Sequence, residues 1–175
     1  MKDEIYQFKI SLPGSEPLVW RQVLVRHDET FESFHRIIQH VLGWGNYHMY
    51  VFTLKKKHIL MPEMNDEEDS VYANEVSLNE MLTRAGQKFK YLYDFGDKWE
   101  HEILFEKKLP LEAGTFYPRC INGERAHPIE DCGGVWRFNE IVANPVEELA
   151  RMEWDMKYDP LEFSTEAVNK RFRKS

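Results

Sequence analysis

The stretch "IYQFKISL" (residues 5–12) alternates, with Tyr6, Phe8, Ile10 and Leu12 on one side and Ile5, Gln7, Lys9 and Ser11 on the other. Period-two alternation of this kind predicts a half-buried strand. "PGSEP" supplies a turn, and "LVWRQVLV" (18–25) predicts the returning strand. From Thr30 the period changes. Phe31, Phe34, Ile38, Val41 and Leu42 recur at helical spacing, with Thr30 placed to cap the start and Gly43 to end the helix in the left-handed conformation. "YHMYVFTL" (47–54) then predicts a third strand. Hairpin, helix and strand in that order form a β-grasp-like unit whose helix crosses the sheet.

The pattern weakens after residue 54. "KKKHILMPEMNDEEDSVYANE" (55–75) is polar, acidic and interrupted by Pro62, so an excursion loop is expected. "SLNE" (77–80) carries a capping-box signature, Ser77 with Glu80, for a short helix stopped near Gly86. In 88–95 Phe89, Tyr91, Tyr93 and Phe95 share one strand face, and in 98–106 Trp99, His101, Ile103 and Phe105 do the same. Between them Asp94-Phe95-Gly96-Asp97 reads as a turn with Gly96 at positive φ. Residues 107–134 are rich in proline and glycine and are expected as loop. Helices follow over 135–143, from Asn144-Pro145 to about Met156, and from a Ser164 cap through Phe172. The expected fold class is α+β: the β-grasp-like N-terminal unit extended by a second hairpin, with the C-terminal helices packed on the sheet. A single domain is expected over 1–175, its β-grasp-like part over about 1–106 and its loop and helical part over about 107–175.

Composition narrows the function classes. The chain is 42% hydrophobic and 14% aromatic, enough to build a core. Its net charge of −7 is uneven, because residues 61–75 hold six carboxylates and no Lys or Arg. The rest is near balance, which argues against a strongly basic, nonspecific nucleic-acid binder. No apolar run approaches the ~18 residues of a membrane span, and "MKDEIYQFKI" shows no apolar leader. Two cysteines are too few for a secreted disulfide framework. A cytoplasmic setting without membrane contact is expected.

The segments "PLVWRQVLV", "FHRIIQHVLGWGNYHMYVF", "YLYDFGDKWEHEI" and "YPRCINGERAHPIEDCGG", closed by "WDMKYDPLEFSTEAVN", resemble a prokaryotic family named for an open reading frame on a plant-tumour (Ri) plasmid, the ORF-three-like family. The resemblance covers nearly the whole chain. It implies little about activity, since the family is known chiefly by name and some members carry a resolvase label. Two departures stand out: the family commonly has Cys where this chain has His127, and "GGVWRFNEI" replaces a more usual Gly-Tyr after the glycine pair.

The densest chemistry lies in "YLYDFGDKWEHEI" (91–103). Its Asp-Phe-Gly is a coincidence, because the Gly-rich loop, strand lysine and His-Arg-Asp segment of a kinase are missing ahead of it. Asp94 and Asp97 can converge in a turn to hold a divalent ion or to act in acid–base work. Carboxylates in turns more often accept bonds from nearby backbone N–H groups. His101, between Trp99 and Ile103 on an apolar face, suits a hydrogen-bonded core imidazole, though imidazole also ligates metals. Zinc could be held by Cys120, His127 and Cys132 with His101 as fourth ligand, a Cys₂His₂ set; against it stands the Cys-x6-His-x4-Cys spacing, which is no zinc knuckle. A serine recombinase fits poorly, since Ser11 and Ser15 with Arg21 and Arg26 are weak substitutes for its nucleophile and arginine cluster. Basic runs at Lys55-Lys56-Lys57 and at Lys170, Arg171, Arg173 and Lys174 read as solvated charge in an acidic chain.

The expected arrangement has the 91–103 hairpin bracing the segment "CINGERAHPIEDCGG" (120–134), with Arg119 and Arg125 pairing to Asp94, Asp97, Glu130 or Asp131. The expected function is a non-enzymatic binding module for a protein or nucleic-acid partner in a mobile-element or regulatory setting. The alternative is a metal-dependent, hydrolytic enzyme using Asp94, Asp97 and His101 beside the Cys/His segment.

Overall fold

The computed structural model describes residues 4–65 and 68–173. β1 (Glu4–Leu12) and β2 (Val19–Arg26) form the leading hairpin, α1 (Phe31–Leu42) follows, and β3 (Tyr50–Leu54) returns to the sheet. Thr30 caps α1 by accepting from the Ser33 N–H at 3.1 Å, and Gly43 ends it at φ 72°. The helix lays Phe31, Phe34, Ile38 and Val41 on the sheet, where Phe34 meets Phe8 at a ring separation of 4.7 Å.

Residues 55–75 depart from the expected loop. They hold β4 (Lys57–Leu60), antiparallel to β3, and β5 (Ser70–Tyr72), parallel to β4. Only Ile59 and Leu60 anchor β4 in the core, too short an apolar signal to stand out in a charged stretch. Part of that acidic stretch, Asp66 and Glu67, lies outside the described residues.

The second hairpin, β6 (Lys88–Tyr93) and β7 (Trp99–Pro110), does not extend an edge. With β8 (Arg119–Glu124) the sheet has eight strands in the order β5-β4-β3-β6-β7-β1-β2-β8, so the hairpin joins β3 to β1 at the centre. Its aromatic face explains the position. Tyr91, Tyr93, Trp99 and Phe105 are all fully buried, and only a central strand pair offers that much cover. The other sheet face is polar, carrying the cross-strand pairs Lys88–Glu102 and Lys90–Glu100 and a Glu106 carboxylate that accepts from the Gln7 and Gln22 amides.

β8 lies within the proline- and glycine-rich stretch expected as loop. It pairs with β2, but a register shift between Gln22 and Val23 breaks the alternation, leaving Cys120 and Gly123 as its buried residues. α2 (Leu78–Met81) opens with the Ser77–Glu80 capping box. α3 (Gly134–Ala143) and α4 (Pro145–Arg151) follow, the latter ending short of Met156, and α5 (Thr165–Phe172) starts at a Ser164 cap. These helices gather at the β2–β8 end. The Asn169 amide of α5 clamps the backbone of Cys120, its Oδ1 accepting from N–H and its Nδ2 donating to C=O, each at 2.8 Å. Asn139 of α3 holds the β1–β2 turn by donating to the Gly14 carbonyl at 2.8 Å. No helix among the described residues is long and apolar enough to cross a membrane.

Candidate functional site

The turn between β6 and β7 is built by Asp94. Its backbone sits at φ 58°, its carboxylate accepts from the Gly96 N–H at 2.8 Å, and its carbonyl accepts from the Lys98 N–H at 2.7 Å. The left-handed residues are Asp94 and Lys98 and not Gly96, because the Asp side chain closes the turn itself. Asp94 is buried, and its N–H donates to the Met49 carbonyl at 3.0 Å, which ties the turn to the 43–49 loop after α1.

The opposite wall is the 128–134 segment. Asp97 accepts from the Gly133 N–H at 2.9 Å. Glu130 accepts from the Tyr93 hydroxyl at 2.6 Å and from the Gly45 N–H at 2.7 Å. The Trp44 indole donates to the Pro128 carbonyl at 2.8 Å. Turn and segment therefore meet, through backbone N–H groups, a phenol and an indole. Burial and the neighbouring Glu130 raise the Tyr93 pKa, so its hydroxyl stays protonated and donating.

His48 completes the cluster. Its Nε2 lies 2.8 Å from Asp131 Oδ1 and 3.7 Å from Asp94 Oδ2. These three ligand atoms lie within 4.8 Å of one another, the one such group of His, Cys, Asp and Glu among the described residues. Asn46, Asp94, Lys98 and Asp131 all have positive φ, a concentration of sparsely populated backbone at one site. Beside it, Tyr47 is 78% exposed, Met49 49% and Phe95 36%.

The remaining expected site residues go elsewhere. Arg119 is exposed at the start of β8, lining a cavity with Thr115, Lys170 and Arg173, away from the aspartates. Arg125 offers its carbonyl to the Arg21 guanidinium at 2.7 Å. The expected Arg–carboxylate pairs are absent among the described residues, and backbone amides take their place: the strand pairing of β8 carries Arg119 to the sheet edge. The Cys/His set does not assemble either. Cys120 is drawn into β8 opposite Val23, while Cys132 lies before α3, where burial and then Asp97 push its thiol up to about 12. His101 faces Trp44 at a ring separation of 5.6 Å, and His127 meets Tyr158 edge-on. Burial pushes both imidazoles down to about 4.

His48 and Tyr93 were not singled out from the sequence as site residues. The available signal was "GWGNYH" (43–48), a glycine-bearing loop directly after a helix. The basic runs form no single stripe: Lys55 and Lys56 turn between β3 and β4, toward the β5 edge, while α5 lies at the β8 edge. Lys170 pairs with Glu166, and Lys174 lies outside the described residues. Ser15 is buried, its hydroxyl donating to the Leu12 carbonyl at 2.7 Å within the first turn.

A family model described as plasmid pRiA4b ORF-3-like protein matches residues 4–167. The uncharacterized protein y4hQ of Sinorhizobium fredii (strain NBRC 101917 / NGR234) is 33% identical over 178 residues, 97% of this chain and 91% of that one. The crystal structure of MM3350, a protein of unknown function from Methanosarcina mazei Go1, matches with a TM-score of 0.85 and 31% identity, covering 96% of this chain and 98% of that one.

Proposed function

The chain belongs to the plasmid pRiA4b ORF-3-like family, and from that premise we propose that it is a non-enzymatic binding module for a protein partner in a mobile-element or regulatory setting. The supporting observation is the division of labour around the Asp94 turn. Asp94, Asp97 and Glu130 each accept from a backbone N–H group, and Glu130 also from the Tyr93 hydroxyl, while Tyr47, Met49 and Phe95 stand exposed beside them. Carboxylates anchored to backbone N–H groups next to exposed aromatic side chains suit docking better than proton transfer. The exposed Asp131 carboxylate favours a partner segment that is basic as well as apolar, and disfavours nucleic-acid phosphates.

The test places a photo-crosslinking residue at Tyr47, identifies the captured protein, and titrates the purified pair. Tyr47→Ser and Phe95→Ser should each weaken that complex by about tenfold or more while leaving the circular-dichroism spectrum unchanged. Unchanged affinity in both variants removes the reading. Saturable, strongly salt-dependent binding of an oligonucleotide in place of a protein redirects it to nucleic acid.

A second reading has one specific support. His48 Nε2, Asp94 Oδ2 and Asp131 Oδ1 are close enough to share a divalent ion, and three ligands leave positions open for water. Such an ion would supply an activated water for hydrolysis. Calorimetric titration with Zn²⁺ or Mn²⁺ against wild type and His48→Ala tests it. Saturable uptake lost in the variant supports it, and no saturable uptake removes it.

A further inference from the structure

The residues able to hold an ion at the Asp94 turn are sequence neighbours of the exposed apolar side chains beside it. His48 lies between Tyr47 and Met49, and Asp94 precedes Phe95. Their backbone is fastened: the Tyr47 N–H donates to the Tyr93 hydroxyl at 3.0 Å, and the Met49 carbonyl accepts from the Asp94 N–H at 3.0 Å. The His48 ring also packs edge-on against Tyr93 at 5.6 Å. On Asp94, Oδ1 is held by the Gly96 N–H at 2.8 Å. Its Oδ2 takes no hydrogen bond among the described residues and faces His48 Nε2 at 3.7 Å. A carboxylate oriented through one oxygen presents the other to a ligand.

Charge is unbalanced at this point. Among the described residues no lysine or arginine forms an ion pair with Asp94 or Asp131, and His48 alone lies within ion-pair distance of either. Asp94 is 7% exposed, and a carboxylate so far removed from water gains from a counter-charge. The Asp131 and His48 side chains are 64% and 30% exposed, so the pair is open to a cation from solvent. The three ligand atoms lie within 4.8 Å of one another, which is room for one cation and no more. Two cations crowded into that space would repel strongly.

We infer that a divalent ion regulates docking at this face: the ion and a basic side chain of the partner compete for Asp94 Oδ2 and Asp131 Oδ1, and each excludes the other. The inference rests on the docking reading, from which the basic partner comes, and it gives the ion a regulatory use in place of a hydrolytic one. With the ion bound, the two negative charges are neutralised and the face keeps only its apolar attraction. Without it, the carboxylates draw an arginine or lysine into the gap beside Tyr47, whose exposed ring offers its face to the cation. One imidazole nitrogen and two carboxylate oxygens suit zinc or manganese. The coupling is reciprocal, so docking weakens the ion by the same factor by which the ion weakens docking.

The test uses two probes on the full-length protein at constant ionic strength: Zn²⁺ alone, and an acetylated, amidated tetrapeptide alternating leucine and arginine. The Gly96 N–H, which rests on Asp94, is followed in ¹H–¹⁵N spectra. Each probe alone should shift it to saturation. In saturating Zn²⁺ the peptide should bind about tenfold more weakly, and saturating peptide should weaken Zn²⁺ by the same factor. Asp131→Asn, in which asparagine suits the φ of 58° as well as aspartate does, should lower both affinities and shrink the competition. Simultaneous binding with unchanged affinities overturns the inference and leaves docking standing, to be judged by Tyr47→Ser on the captured partner. Competition undiminished in Asp131→Asn places the ion elsewhere and also overturns it, as does the failure of either probe to saturate.

Discussion

His101 shows how burial decides the chemistry of a single side chain. It is 1% exposed, and its Nδ1 donates to the Trp99 carbonyl at 3.0 Å, which leaves Nε2 as a lone pair without a partner. An orphaned acceptor is tolerable, whereas a buried imidazolium beside the Trp44 edge would need a counter-charge. Burial therefore lowers its pKa from 6.5 to about 4, and His35 shifts the same way for the same reason. Between those values the unfolded chain binds a proton that the folded chain refuses, so stability falls as pH drops from 6.5 to about 4 and levels off below. At ~1.4 kcal/mol per pK unit, each such histidine contributes on the order of 3 kcal/mol across that window. Urea unfolding at several pH values should show this acid loss, and His101→Phe should flatten part of it. An unchanged profile in that variant would mean that His101 protonates inside the fold. Of the residues named from sequence, Asp94, Asp97, Glu130 and Asp131 do share one site, because acidic residues flanking turns are visible as composition. His48 was not legible, since its partners lie 46 and 83 positions away and no local pattern announces them.

At the scale of elements, the contact between the β6–β7 turn and the start of α3 fixes the candidate face. Gly134 has φ 82°, and a Cβ there would lie 2.5 Å from the Asp97 carbonyl oxygen, a backbone atom that cannot swing away. Gly134→Ala should therefore cost about 1–3 kcal/mol, from strain at positive φ and from pushing turn and helix apart. Asp97→Ala, which removes the acceptor for the Gly133 N–H, should cost about 1–2 kcal/mol. Because both changes open one contact, the double variant should lose less than the two single losses added together. Chemical denaturation of the four proteins measures this, and strict additivity would show that carboxylate and backbone act independently. The sequence announced both flanking strands through the alternation of Phe89, Tyr91 and Tyr93 and of Trp99, His101, Ile103 and Phe105, whereas Phe95, expected on the same face, lies in the turn and is exposed. The sequence hid β4, β5 and β8, because short or edge strands with few buried residues leave no periodic trace. The α1 caps, the capping box of α2 and the Ser164 cap were legible, since each depends on residues within one helical turn.

For the molecule as a whole, strand order was the least legible property, and it follows from pairings distant in sequence. β7 pairs with β1 across the whole hairpin-and-helix unit, and β8 returns to β2. The boundary near residue 106, drawn from composition, cuts through β7 and severs β8 from its partner. The C-terminal part also supplies Ile129, Phe138, Ile141, Leu149, Val168 and Phe172 to the same hydrophobic core as Phe8 and Phe34. A fragment of residues 1–112 retains the central hairpin but exposes the β2 edge, the Trp44 indole and the α1 face that Phe172 approaches through His40. Exposed edges and uncovered apolar surface favour association over folding. The fragment should consequently give poorly dispersed amide resonances and concentration-dependent light scattering, whereas the full chain gives a single cooperative transition. A monomeric, well-dispersed spectrum from the fragment would show instead that the N-terminal unit is self-sufficient and that β8 and the helices are an appended layer. The expected dependence runs both ways: the turn that braces residues 128–134 is held rigid by β6 and β7, and those strands remain central because β8 and α5 close the sheet beside β2.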